Sequence, residues 1–344
     1  MHTVKRSLQE LCKMNNLDLT ISILSYNTKN LLRDCLNSIY QNAGEYRFEV
    51  IVVDNDSKDR SVEMVEKEFS SVRLIRNREN VGFSRANNQA IKKSKGRYIL
   101  LLNSDTVVIS DALTEMIHFM DTHPEAGVVG GKVFRPDLTA QASTRGSLDI
   151  RTLFISFFGL KSLVPPVHRG FVVKLLGPLL GKTVRSYVDY YEDENNPVLV
   201  DEVSGVCFCV RREVVEQVGL LDENFFMYYE DTDWSARIRE KGWKLYILPE
   251  ASIIHYVQQS VKKAFDKTFV ARCKGICYYF KKYRDRRAIL ALKMIITSAL
   301  LLRIFFFSIY YPFVKRERRD GVKGKLKGYW EVIKFIVQEF PFCT

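Results

Sequence analysis

Apolar positions in the first 110 residues fall into two alternating patterns. Leu19–Ser25, Glu49–Asp54, Val72–Arg76 and Ile99–Leu102 are short apolar or alternating runs bounded by turn formers, which predicts β-strands. Between the first two, Leu31, Leu32, Cys35, Leu36 and Ile39 recur at helical spacing, predicting a helix that starts near Thr28. Ser57 or Asp59 can cap the next helix, and Ser110 or Asp111 the one after the fourth strand. Strands alternating with helices predict an α/β domain with a parallel, doubly wound sheet.

The rhythm is lost between residues 149 and 197, a stretch interrupted by Pro165-Pro166 and Pro178 that reads as an irregular insertion, either a lid or binding loop or a surface excursion. It resumes with a strand over Val203–Val210, entered through Gly205, and a helix from about Glu230 to Lys241. Two short strands follow, Trp243–Leu248 and Ala251–His255. This divides the chain into an N-terminal extension (1–17), an α/β domain (18–262) and a helical C-terminal region (263–344).

Composition changes this picture at the C-terminus. The net charge is +12, and Lys and Arg concentrate from Val261 to Lys327 beside aromatic and aliphatic residues, a pattern that favours an anionic membrane surface or nucleic acid. No nucleic-acid-binding motif is present, so the membrane is preferred. Seven cysteines, with no zinc-type spacing, read as buried reduced thiols, and Met1–Asn16 shows no secretory signal.

Three strands end in polar tips: Tyr26-Asn27, Asp54-Asn55-Asp56 and Asn103-Ser104-Asp105. Ligands of open α/β sheets bind at the carboxyl ends of the strands, so three such tips predict a nucleotide cleft. Neither G-x-G-x-x-G after the first strand nor G-x-x-x-x-G-K-[ST] occurs, which disfavours a dinucleotide dehydrogenase or P-loop kinase. A diphosphate then has to be neutralised by a cation and side chains. Glu230, Asp231 and Asp233 crowd a helix start, where acids complement the dipole, but nearby aromatic residues could raise the basicity of one of them. His255, at a strand end, reads either as structural or as a ligand.

In this order and spacing Ser25-Tyr-Asn27, Val53–Ser57, Asn80–Asn88, Leu102–Asp105, Gly205, Phe226–Trp234 and His255 with Ser260 resemble inverting family-two glycosyltransferases of GT-A fold, especially the bacterial rhamnosyltransferase-like branch. The resemblance implies that Asp54, with Asp56, reads the pyrimidine and ribose of a donor whose site also takes in Tyr26, Asn27, Asn80, Arg85, Asn103 and Ser104. It implies Asp105 and His255 as ligands of Mg²⁺ or Mn²⁺, although Asn103 stands where such enzymes carry a first acid. Asp231 matches the general base, with Glu230, Asp233, Trp234 and Tyr229 expected on the acceptor side. No Q-x-x-R-W element follows Asp231, so a single addition per encounter is expected. The donor sugar expected from the resemblance is L-rhamnose on thymidine diphosphate, and the acceptor a lipid-linked or polysaccharide saccharide. The alternatives are another hexose or galactofuranose from a UDP-sugar, or a non-catalytic nucleotide-sugar-binding scaffold.

Ala288–Val314 is apolar but contains Lys293 and Arg303, with basic clusters on both sides. Two basic flanks disfavour a single crossing. A helix in the membrane interface or a shallow hairpin broken near Pro312 is expected, placing the protein peripherally or monotopically on the cytoplasmic face of the inner membrane. The alternative is a helix packed on the catalytic domain, through a homodimer.

Overall fold

A computed structural model describes residues 17–42, 44–141, 143, 148–159, 196–256, 265–316 and 319–340. Most of the N-terminal extension, most of the insertion, Gln258-Gln259 and Ser260 lie outside the described residues. Within them the chain forms two compact units, one of residues 17–143, 196–224 and 230–256, the other of 148–159, 225–229 and 265–340.

The first unit contains β1 (Leu19–Ser25), α1 (Lys29–Gln41), β2 (Phe48–Asp54), α2 (Ser61–Glu68), β3 (Arg73–Arg76), α3 (Phe83–Lys93), β4 (Tyr98–Asn103), β5 (Thr106–Val108), α4 (Ala112–Thr122), β6 (Ala126–Phe134) and β7 (Ala140–Gln141). The second unit takes α5 (Ile150–Phe157). The first resumes with β8 (Val198–Leu199), β9 (Cys207–Arg211), α6 (Arg212–Val218), α7 (Glu230–Glu240) and β10 (Lys244–His255). The sheet order is β3-β2-β1-β4-β9-β6-β10-β5, with β7 on β6 and β8 on β10. β3, β2, β1 and β4 are mutually parallel, whereas β9 runs antiparallel to both β4 and β6.

Period-two alternation explains the layers. Tyr98, Leu100 and Leu102 of β4 pack with Leu32, Leu36 and Ile39 of α1 and Met116 and Met120 of α4. Ile99 and Leu101, pointing the other way, pack with Trp234 and Ile238 of α7. Both faces are therefore covered, which is why the strands read as near-continuous apolar runs.

The sequence reading needs correction at two places. The strands expected over Trp243–Leu248 and Ala251–His255 are one strand, β10, whose register against β6 shifts between Leu248 and Ser252, around Pro249. A proline offers no N–H to the ladder, so irregularity there is the expected cost. Asp111 occupies the N-cap of α4 without a side-chain cap bond, whereas the Asp59 carboxylate accepts from the N–H groups of Ser61 (3.1 Å) and Lys29 (2.7 Å), joining the starts of α2 and α1.

In the second unit, α8 (Phe265–Tyr283), α9 (Arg286–Tyr310) and α10 (Arg319–Gln338) pack with α5 and residues 225–229 around Phe280, Leu292, Ile296, Leu300 and Val332. Gly275 of α8 faces the Tyr228 carbonyl so closely that a Cβ would lie 2.7 Å from its oxygen, so only glycine fits. Both charges inside the apolar stretch turn inward. Lys293 Nζ donates to the Phe340 carbonyl, and Arg303 Nη2 donates to the Phe157 carbonyl at 2.6 Å. Cys35, Cys207, Cys209, Cys273 and Cys277 are buried free thiols; burial pushes Cys35 and Cys207 up to about 12.

Candidate active site

The carboxyl ends of β1, β2 and β4 lie at one edge of the sheet, and antiparallel β9 begins at that same edge, with Cys207 opposite Leu102. Three strand spacings, about 15 Å, separate the tip of β2 from the start of β9. Asp54 stands at the first position. Asp231 reaches the last, because its Oδ2 accepts the Gly205 N–H at 2.9 Å just before β9. Asp105 follows β4 between them. These three carboxylates, far apart in sequence, thus share one edge.

Asp54 is buried. Its Oδ2 accepts from Ser57 N–H at 2.9 Å, while Oδ1 has no hydrogen-bond partner. A buried carboxylate oxygen left unpaired is costly unless a ligand donor completes it. Beside it runs an amide web that the sequence reading missed. Asn55 donates to Asn80 Oδ1 at 3.1 Å, Asn77 donates to Asn55 Oδ1 at 2.8 Å, and Asn77 exchanges bonds with Gln89. Asn80 Oδ1 also accepts the Gly82 N–H at 3.0 Å. Asn27 and Asp56 both take left-handed backbone, with φ of 56° and 67°. Asn27 Oδ1 receives the Lys58 N–H at 2.7 Å, and Asp56 pairs with Lys58 Nζ at 2.5 Å. Tyr26 is exposed at the rim. Ser104 accepts from Thr28 Oγ1 at 3.0 Å, and Thr28 is within 3.2 Å of Ser25 Oγ, a hydroxyl chain under the turn. Asn103 contributes its carbonyl to Thr106 Oγ1 at 2.8 Å.

Arg85 is held differently from the expectation that it lines the donor. Its Nε pairs with Glu223 at 3.2 Å, and Asn88 donates to the other Glu223 oxygen at 3.1 Å. The Asn88 amide, helped by Arg85, holds the Glu223 carboxyl below the usual carboxylate range. Asn88 also grips both the N–H and the carbonyl of Leu221.

Asp105 and His255 meet because β5 and β10 pair antiparallel with Thr106 opposite His255. Asp105 Oδ1 lies 3.1 Å from His255 Nε2, and the Gln141 amide lies 3.1 Å from Nδ1 on the far side of the ring. A carboxylate and an oriented imidazole at one corner fit a divalent cation of the Mg²⁺ or Mn²⁺ class. Among the described residues no cluster of three or more metal-ligating side chains forms, so other ligands would have to come from water or substrate.

Asp231 opens α7. Besides the Gly205 bond, its Oδ1 accepts from Thr232 N–H at 2.9 Å, so two backbone donors orient the carboxylate. Gly205 is tightly seated, since a Cβ there would stand 3.2 Å from the Phe83 ring. Three residues expected on the acceptor side are core instead. Asp233 is fully buried and pairs with Arg237 at 2.9 Å. Trp234 stacks on Phe208 with centroids 5.2 Å apart and donates to the Gly219 carbonyl at 2.9 Å. Tyr229 is buried in the second unit, where Arg272 Nε lies 3.4 Å from its hydroxyl. For Asp233 and Trp234 helical spacing is the reason, since positions three and four residues along from Glu230 turn into the sheet, whereas Asp231, itself buried, is held at the edge by Gly205. Glu230 is buried as well.

Residues 20–172 match the sequence model of glycosyl transferase family 2. Over that stretch, less than half of its length, the chain is similar to this family. Over 232 residues it is 26% identical to N-acetylglucosaminyl-diphospho-decaprenol L-rhamnosyltransferase of Mycobacterium tuberculosis, covering 63% of this chain and 69% of that relative. Among solved structures, the mannosyltransferase PcManGT from Pyrobaculum calidifontis in complex with GDP-Man and Mn²⁺ superposes with a TM-score of 0.52 at 13% identity, over 95% of this chain and 88% of that one. GalNAc-T7 with UDP, GalNAc and Mn²⁺ gives 0.51 at 16% identity, over 71% of this chain and 44% of that one. These likenesses establish the GT-A type of fold for this chain.

Proposed function

We propose that the chain transfers a single sugar with inversion from a nucleoside diphosphate to a lipid-linked saccharide, at the cytoplasmic face of a membrane. The reading rests on one observation, the alignment of Asp54, the Asp105–His255 pair and Asp231 along a single sheet edge. That Asp54 Oδ1 is buried and unsatisfied supports a role in accepting an N–H of the donor base. Asp231 takes the proton of the attacking acceptor hydroxyl. Asp105 and His255 would hold a Mg²⁺ or Mn²⁺ ion, which when bound neutralises charge on the departing diphosphate. L-rhamnose as the sugar is supported by the rhamnosyltransferase relative, whose name also carries a decaprenol-linked acceptor. A membrane location is further supported by Arg286–Phe313, long and apolar enough to cross a bilayer by length and composition.

A panel of nucleotide sugars with purified protein and Mn²⁺ tests the sugar. The expected result is release of thymidine diphosphate from dTDP-L-rhamnose faster than of nucleotide from UDP- or GDP-sugars. A clear preference for a UDP-hexose would replace rhamnose, and tight donor binding with neither hydrolysis nor transfer would favour a non-catalytic scaffold, a reading motivated by Asn103 in place of the first acid. Asp54→Asn is expected to raise the nucleotide Kd about 10- to 100-fold by titration calorimetry, the loss of one bond to a charged acceptor. An unchanged Kd would remove Asp54 from the base-reading role.

A further inference from the structure

We infer that the outward side of α9 is a lipid-embedding surface that lies in the plane of an anionic bilayer instead of crossing it. This rests on the membrane-associated reading above and gives it a surface and an orientation. One side of α9 is core: Leu292, Ile296, Ala299 and Leu300 are buried, and Arg303 is tied to Phe157. The opposite side exposes Leu290, Met294, Leu301, Phe305, Phe306 (63%) and Ile309, continuing through Tyr310 to Phe313 (79%) beyond the helix end. The two stripes follow i, i+3, i+4 spacing, so both faces of the same helix are apolar.

Burial of a stripe in water-soluble surroundings accounts for the first side alone. A contiguous exposed apolar face marks an interaction site. From Ala288 to Phe313 every exposed position is uncharged, because the two cations of this stretch, Lys293 and Arg303, turn inward to backbone carbonyls. The helix is about 38 Å long. It is pinned to its neighbours along this length, which holds it against the rest of the second unit and prevents it from entering a bilayer end-on as an isolated crossing.

The charges at the ends choose the occupant. Lys281, Arg286 and Arg287 are exposed before the stripe, and Lys315 and Arg316 after it. In a pairing of two copies through this face, parallel or antiparallel, cation would meet cation at both ends. An anionic lipid surface instead complements both ends while the phenylalanines enter the acyl boundary.

Flotation of the full chain with vesicles tests this, comparing phosphatidylcholine alone with phosphatidylcholine containing about one third phosphatidylglycerol, at about 0.1 M salt. The wild type is expected to float with the anionic vesicles. Phe305→Ser, Phe306→Ser and Phe313→Ser together should lower partition at least about tenfold. Arg287→Gln with Lys315→Gln and Arg316→Gln, which leaves the apolar face intact, should lower binding about fivefold per charge and remove the preference for phosphatidylglycerol. Flotation of both variants like the wild type would overturn the proposal. So would a wild type that stays unbound and sediments as a dimer, or one that resists alkaline carbonate extraction from cell membranes as a crossing helix does. Donor hydrolysis in vesicle-free buffer is read in parallel and should match wild type in both variants. Loss of hydrolysis from every protein, wild type included, with the flotation pattern intact would sink the transferase reading and leave the lipid surface standing.

Discussion

Asp231→Asn is expected to lower sugar transfer by about 10²- to 10⁴-fold while leaving donor affinity unchanged. The asparagine is nearly the same size. Its amide oxygen can keep one of the two backbone bonds that orient the native side chain, from Gly205 or from Thr232. What it cannot do is accept the proton of an attacking hydroxyl. Single-turnover transfer and donor titration on the same preparation separate the two effects. A variant that transfers near the wild-type rate would show that the base lies elsewhere, and one that loses donor binding as well would indicate a disturbed edge instead of a missing base.

Chelation with EDTA is expected to cut turnover at least about a hundredfold, with recovery on adding Mn²⁺ or Mg²⁺, since a cation at the leaving diphosphate contributes several kcal/mol to the transition state. With one carboxylate and one imidazole at the corner among the described residues, each ligand carries a large share of the affinity. Asp105→Ala should therefore raise the Mn²⁺ concentration for half-maximal rate by more than about a hundredfold. Gln141→Ala, which touches only the far nitrogen of His255, should raise it by about 10- to 100-fold. Full activity in EDTA would take Asp105 and His255 out of a metal role altogether.

The first four strands and the polar tips that end them were legible because each is a local signal: an apolar run, a turn former, a helix of matching period. The mixed half of the sheet was not. β9 enters between β4 and β6 after a gap of some hundred residues, and no property of Cys207–Arg211 encodes which strands it joins or in which direction. Around the site, Asp54, Asp105 and Asp231 could be named from motif order, whereas Asp233 and Trp234 were misplaced because adjacent helical positions look alike until the phase of the helix against the sheet is fixed. Gln141 sits on a two-residue strand with no pattern of its own. At the C-terminus, the sequence showed the charges of Lys293 and Arg303 but not the carbonyls that receive them.

Tyr228 and Tyr229 both hold φ at 72°, a left-handed conformation that costs a side-chain-bearing residue about 1–2 kcal/mol at each position, and they stand two or three residues before Asp231. Glycine at either position would relieve that strain but forfeit the packing of these rings, Tyr229 being buried in the core of the second unit. The aromatic pair instead makes the approach to α7 stiff: the backbone arrives along one narrow path, with little freedom to wander.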